Sequence, residues 1–305
     1  MDEGRFDEEE YEYDIVGFRK TWDVCYADDY GSFEEITVPS ARYTFRPAPK
    51  YAICENVLQI FSVKVTQLKE EEGLHWPLHV YGSMATRDSA DPRRNLLFQR
   101  TRDNCQIVTQ EDPFLLLTGP SRAVVLIDPV TFEVELKAKC KTESEDKVLN
   151  FGVFDYRHQV NLSLQLHCFL VQFEATICVK VIRGSWPDHY RGRVISRTAS
   201  ISHGGVVLLD TRYGKMSVNR YGVVELLRNV VSVESGGQLK VSVVASQVDD
   251  EKNVIAEGLV DFKPKTAGET FSNCDLGFCL MRFHIRWSLP CSVDEHVGLQ
   301  NKPVV

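Results

Sequence analysis

No stretch of the 305-residue chain approaches the roughly 18 consecutive apolar residues that a membrane-spanning helix needs. The N-terminus, MDEGRFDEEEYEYD, is acidic and has no apolar centre, so it reads as neither a signal peptide nor a mitochondrial presequence, and the expected location is cytoplasmic. The nine cysteines are an odd number and contain no CxxC pair, which in that setting implies reduced thiols, several of them buried. Cys274 and Cys279 are the closest pair, and their spacing fits no common metal-ligand pattern. Catalytic signatures are equally scarce. Leu117-Thr118-Gly119-Pro120 lacks the glycine spacing of a phosphate loop, and Gly214-Lys215 is followed by Met216 with no glycine five residues before it. There is no GxSxG, no HExxH and no EF-hand loop, and the eight histidines are scattered without ligand spacing. No catalytic residue, cofactor or metal is therefore expected. The sequon at Asn161-Leu162-Ser163 sits in a strand-like run and reads as idle.

Charge of one sign is scarce outside the N-terminus. The net charge is −8, but residues 1–35 hold 13 acids against three bases, and the remaining 270 residues balance at +2. Neither part offers the basic field that binding a nucleic-acid backbone requires, so no nucleic-acid or membrane partner is expected. The acidic leader reads as a solvated, disordered tail over residues 1–20. From Trp22 to Lys50 the aromatics Tyr26, Tyr30, Phe33, Tyr43 and Phe45 recur irregularly among glycine and proline, the pattern of an extended arm lying on a domain.

What the chain has in quantity is strand. Val57–Val65 (VLQIFSVKV) reads as a strand, and Phe132–Lys139 alternates between apolar Phe132, Val134, Leu136, Ala138 and charged Glu133, Glu135, Lys137, Lys139. With Ala123–Ile127 before it and Asp128-Pro129 between, residues 117–139 read as a hairpin. The chain also repeats itself. WPLHVYG at 76–82 recurs as WPDHYRG at 186–192, a shift of 110, and NLLFQRTR at 95–102 falls on GVVLLDTR at 205–212. FEVELKAK at 132–139 falls on LKVSVVAS at 239–246, and KVLNFGVFDY at 147–156 on NVIAEGLVDF at 253–262. The expected fold is all-β: two internally duplicated β-sandwich-like units in tandem behind an acidic disordered leader. The boundaries are 1–45 for leader and arm, 46–171 and 172–291 for the two units, and 292–305 for a tail.

Duplication separates scaffold from candidate function. Trp76, Pro77, His79 and Gly82 match Trp186, Pro187, His189 and Gly192, and positions kept in both copies serve the shared fold. The unduplicated feature is RDSADPRRNLLFQRTRD at 87–103, whose counterpart RTASISHGG is nearly uncharged. Arginine forks beside carboxylates hold planar anions or acidic protein surfaces, although most such clusters are solvated ion-pair networks. Arg87, Asp88, Arg100, Arg102 and Asp103 are the candidate binding residues, with a protein as the expected partner.

The runs LQIFSVKV, WPLHVYGSMATRDSADPRRNLLFQRTRDNCQ, EDPFLLLTGPSRAVVLIDPVTFEVELKAK, EATICVKVIRGSWPDHYRGR and VLLDTRYGK resemble a domain of unknown function expanded in grasses. Some members of that family are similar to fusions with a ribosome-inactivating rRNA N-glycosylase domain, which implies a link to plant defence or stress. The fused activity does not carry over. It requires a Glu and an Arg one helical turn apart, and the nearest approach here, Glu174-Ala175-Thr176-Ile177, lacks the Arg and lies in a strand-like segment. The expectation is a non-catalytic β-sandwich interaction or accessory module. The alternatives are an rRNA N-glycosylase or other hydrolase, and a carbohydrate- or lipid-binding sandwich.

Overall fold

Alternation at period two builds the strands that carry both cores. The computed structural model describes residues 15–48, 55–66, 68, 71, 73–155, 162–169, 172–199, 204–211, 215–248, 250 and 252–290. The first 14 residues of the leader, the sequon at Asn161, residues 200–203 of RTASISHGG, Gly214 and the tail from 291 lie outside the described residues.

The first unit comprises β1 (Val57–Val65), β2 (Leu78–Asp88), β3 (Asp91–Arg100), β4 (Gln106–Val108), β5 (Val124–Val125), β6 (Thr131–Ala138), β7 (Lys147–Asp155) and β8 (Leu162–Phe169). One sheet runs β3-β2-β6-β7, with β4 on the end of β2, and the other runs β5-β1-β8. Their facing side chains, among them Ile60, Val63, Met84, Phe98, Phe132, Val134 and Leu136, form one core. The second unit comprises β9 (Gln172–Gly184), β10 (Tyr190–Thr198), β11 (Val206–Asp210), β12 (Val230–Glu234), β13 (Leu239–Gln247), β14 (Val254–Phe262), β15 (Gly268–Asp275) and β16 (Cys279–Ser288). Its sheets run β11-β10-β13-β14 and β12-β9-β16-β15, around a core that includes Val179, Val194, Leu208, Val243, Phe283 and Trp287.

The two strand orders are the same once β3-β2-β6-β7 is laid on β11-β10-β13-β14 and β5-β1-β8 on β12-β9-β16. The repeat extends to irregularities. A bulge at Leu97 separates the pairs Met84↔Phe98 and Ala85↔Leu96, and a bulge at Leu208 separates Val194↔Leu209 and Ile195↔Val207. The Leu97 carbonyl accepts from Thr118 and Gly119 at 2.9 and 3.2 Å; the Leu208 carbonyl accepts from Leu227 and Arg228 at 2.8 and 3.2 Å. Bulges recur again at Leu149 and Ile255. A bulge is a local two-against-one mismatch that chance does not place twice at one topological position. Trp76 packs against the first core and Trp186 within the second, so both serve as scaffold.

Two local expectations are corrected. Residues 117–139 are not a hairpin: β5 pairs with β1 in one sheet, whereas β6 pairs with β2 and β7 in the other. Asp128-Pro129 lies where the chain crosses between sheets, and each strand is buried by a partner distant in sequence. Residues Ile15–Cys25 form a helix, α1, rather than disorder or an irregular arm. Ile15, Phe18 and Trp22 recur at helical spacing, and Ile15 and Trp22 are buried.

The halves touch directly. The bulge in β1 between Ile60 and Ser62 turns Phe61 towards the second core. Buried Arg228 of the second unit donates to the Ile60 and Phe61 carbonyls at 2.6 and 3.1 Å. Burial depresses its pKa to about 10. The Ser232 N–H donates to Gln59 Oε1 at 2.8 Å beside it.

Candidate functional site

Residues 87–103 are not a loop. Asp88 pairs with Asp91 across a turn of only Ser89 and Ala90, and most of the charged run is strand β3. Strand geometry throws alternate side chains to opposite faces, so the charges separate into three groups.

The first group surrounds Arg122 where the hairpin meets the arm and the second unit. Asp88 Oδ1 accepts the Ala90 and Asp91 N–H groups at 3.1 Å each, which closes the turn, and its Oδ2 accepts the Val125 N–H at 2.9 Å. Arg122 donates both terminal nitrogens to Asp88 at 2.8 and 2.9 Å and its Nε to Thr37 Oγ1 at 2.7 Å. The Thr37 hydroxyl in turn donates to Asp91 Oδ2 at 2.6 Å. Burial would raise the Asp91 pKa, but hydrogen bonds from Arg93 and Thr37 outweigh it and hold the carboxyl at about 2. Glu174, wholly buried on β9, accepts the N–H groups of Ala41 and Ala123 at 2.7 Å each. Its pKa is raised by that burial against the pull of these bonds. A cleft of about 40 Å³ opens here, lined by Arg42, Tyr43, Asp91, Arg122, Glu174 and Ser288 among others. That volume holds one or two waters.

The second group lies on the outer face of the β3-β2-β6-β7 sheet, beneath α1. Arg87 donates to Glu133 at 2.8 and 3.0 Å and to the carbonyls of Phe33 and Pro92 at 2.7 and 2.9 Å. Its guanidinium carbon lies 4.1 Å from the Phe33 ring centre and 4.6 Å from that of Trp22. Arg94 shares Glu133, and Arg19 of α1 reaches Glu135 at 3.1 Å. Burial lowers the Arg87 pKa and Glu133 opposes it. A charge stacked between rings and paired below is a pin for the helix.

The third group is superficial. Arg102 binds Asp146 at 2.7 Å and the Cys140 carbonyl at 2.9 Å, and Tyr81 donates to the same carboxylate at 2.7 Å. The Arg102 bond holds the Asp146 carboxyl well below its usual range; burial, then the Asp146 contact, pushes Tyr81 up to about 12. Arg100 reaches Asn104 at 3.5 Å, and Asp103 is exposed.

The five candidate residues are therefore not one site. Asp88 belongs to the first group, Arg87 to the second, and Arg100, Arg102 and Asp103 to a rim between β3 and β4. Arg122, Glu133, Glu174 and Asp146 are not among the residues that the sequence singles out for binding. Alternation with Phe132 and Val134 predicts a solvent-facing Glu133, but helix α1 covers that face and Glu133 is buried. Arg122 carried the one available signal, a lone cation adjoining the apolar run Ala123–Ile127. Cys274 and Cys279 are buried free thiols in the second core, both raised first by burial. Glu174 lies on a strand. Among the described residues no helix is long and apolar enough to cross a membrane.

Residues 57–285 match the model of a family described as Domain of unknown function (DUF6598). No curated protein and no solved structure matches the chain. Because the match runs from β1 into β16 and takes in both sandwiches, the chain belongs to the DUF6598 family.

Proposed function

We propose that the chain is a non-catalytic β-sandwich interaction or accessory module whose partner is a protein. The supporting observation is that the buried charges close on one another: Asp88, Asp91, Glu133 and Glu174 all accept donors from this chain, and the cleft at Asp91 and Glu174 holds only about 40 Å³. Catalysis needs a group whose protonation or lone pair is free to serve a substrate, and a carboxylate bound to internal arginines and amides is committed to scaffold. On this reading Arg87 and Asp88 hold the turn between β2 and β3, and Arg100, Arg102 and Asp103 meet the partner at the rim. The resemblance to grass proteins with a fused ribosome-inactivating domain supports an accessory role in defence or stress, and the free cysteines support a reducing, cytoplasmic setting.

The test is charge reversal of the rim in the full chain, Arg100→Glu with Asp103→Arg, followed by quantitative capture from plant tissue. The expected result is loss of the specific partner with an unchanged circular dichroism spectrum; retention of every interaction refutes the rim. Adenine release from purified ribosomes at high protein concentration would refute the non-catalytic reading.

A further inference from the structure

The duplicated fold presents the same outer sheet face twice, and among the described residues a helix of this chain covers only the first. In the first unit the outer row Ala85–Glu133–Val153 crosses β2, β6 and β7, and all three residues are buried. The equivalent row of the second unit is Ile195–Ser242–Leu259 across β10, β13 and β14, with Val207 of β11 continuing it. Leu259 is 58% exposed, and on the same edge strand Val254 and Ile255 are exposed as well. Aliphatic side chains on the outer face of a sheet whose inner face already holds a core are the mark of a covered surface.

The charges on this face specify what covers it. Arg197 stands where Arg87 stands in the first unit, two residues beyond Ile195 as Arg87 is beyond Ala85. Arg87 is enclosed by Trp22 and Phe33 and paired with Glu133; Arg197 is exposed, and its Nε donates to the Gly204 carbonyl at 2.9 Å. The strand register corrects the sequence alignment of 132–139 with 239–246 by two residues, so that the position of Glu133 is taken by Ser242 rather than Lys240. Arg193 and Lys240 flank the apolar row on β10 and β13, and Glu257 and Asp261 lie on the outer strand β14. Arg197 stands at the aromatic-binding position, exposed Leu259 lies in the row beside it, and Ser242 replaces the carboxylate that pairs with Arg87, while Asp261 stands opposite Lys240 rather than Arg197. Such a position calls for a ligand that brings both an aromatic ring and an acid.

We propose that an amphipathic helix of a partner protein docks on the β11-β10-β13-β14 face, with an aromatic side chain stacked on Arg197, aliphatic residues on exposed Leu259 and Val254, and a carboxylate to Arg197. It is the helix-in-groove mode that α1 performs internally on the first unit. The inference rests on the reading of the chain as a binding module, but it concerns a different face from Arg100 and Asp103, so the two fail separately.

The probe is a synthetic peptide of residues 15–34 of this chain, which carries Phe18, Trp22, Phe33 and Glu34, added to the full-length protein. Amide hydrogen exchange reads where it binds, and calorimetry reads how tightly. The expected result is new protection over 193–197, 240–244 and 257–261, with affinity reduced about tenfold or more by Arg197→Ala or by Leu259→Asp. Both positions are exposed, so neither substitution threatens folding. No binding, protection over 131–135 instead, or affinity indifferent to both substitutions overturns the proposal. So does concentration-dependent self-association abolished by Leu259→Asp, which would assign the face to a second copy.

Discussion

Removing the Glu133 carboxylate, as Glu133→Ala, tests whether the charged cluster is scaffold. Its side chain is 2% exposed, and it serves Arg87, 3% exposed, through two bonds and Arg94 through two more. Breaking a buried pair by deleting one partner typically costs about 3–5 kcal/mol, because the remaining charge stays desolvated. Arg87 retains the carbonyls of Phe33 and Pro92, which puts the expected loss near the lower end, about 3 kcal/mol. For a domain of this size that corresponds to a fall in Tm on the order of 6–12 °C. Glu135→Ala is the control: Glu135 also meets Arg19 but is 32% exposed, so its removal costs less than about 1 kcal/mol. Urea unfolding measures both, and hydrogen exchange over Ile15–Cys25 shows whether α1 loosens. If Glu133→Ala costs no more than Glu135→Ala, or leaves α1 as protected as before, the pin is refuted.

Further outcomes follow from single positions. Gly82 has φ +118°, and a Cβ there would lie 2.0 Å from the Glu135 carbonyl oxygen, so Gly82→Ala lowers stability by several kcal/mol, on the order of a broken core contact. At Gly152 φ is +159°, a conformation L side chains rarely adopt, so Gly152→Ala lowers stability by about 1–3 kcal/mol in urea melts even though a Cβ there meets nothing within 4 Å, a smaller loss than at Gly82. Asp91, held at about 2, gives a stability contribution that is complete above the unfolded carboxylate value near 4 and is lost as pH falls through about 2. Acid titration of unfolding therefore has a shallower slope in Asp91→Asn over that window, and identical slopes would contradict the assignment.

The legible parts were those governed by local rules. Phe132, Val134 and Leu136 alternate because one sheet face is buried, and the Trp-Pro repeats betrayed the duplication because both copies must build the same strand start. Pairing partners were less visible. Nothing in Asp128-Pro129 distinguishes a hairpin turn from a crossing between sheets, since that depends on Val57 and Leu58 some sixty-seven positions away from Val125 and Val124. The helix was hidden for a related reason: Phe18 and Trp22 mark it by spacing alone, within a segment whose neighbours are acids and aromatics. The candidate site was half visible. Arg87 and Asp88 were found by their charge, but their tasks are set by Glu133 and Arg122, which are brought to them by β6 and the β5 approach.

The central claim, that one strand-rich scaffold is present twice, is tested most directly by amide hydrogen exchange of the full chain resolved residue by residue. The backbone bonds repeat as pairs: Val65 with Val181, Leu115 with Val224, Thr118 with Leu227. The account predicts that both members of each pair are protected well above the neighbouring turns. Protection of Val65, Leu115 and Thr118 with free exchange at Val181, Val224 and Leu227, or the reverse, would contradict it.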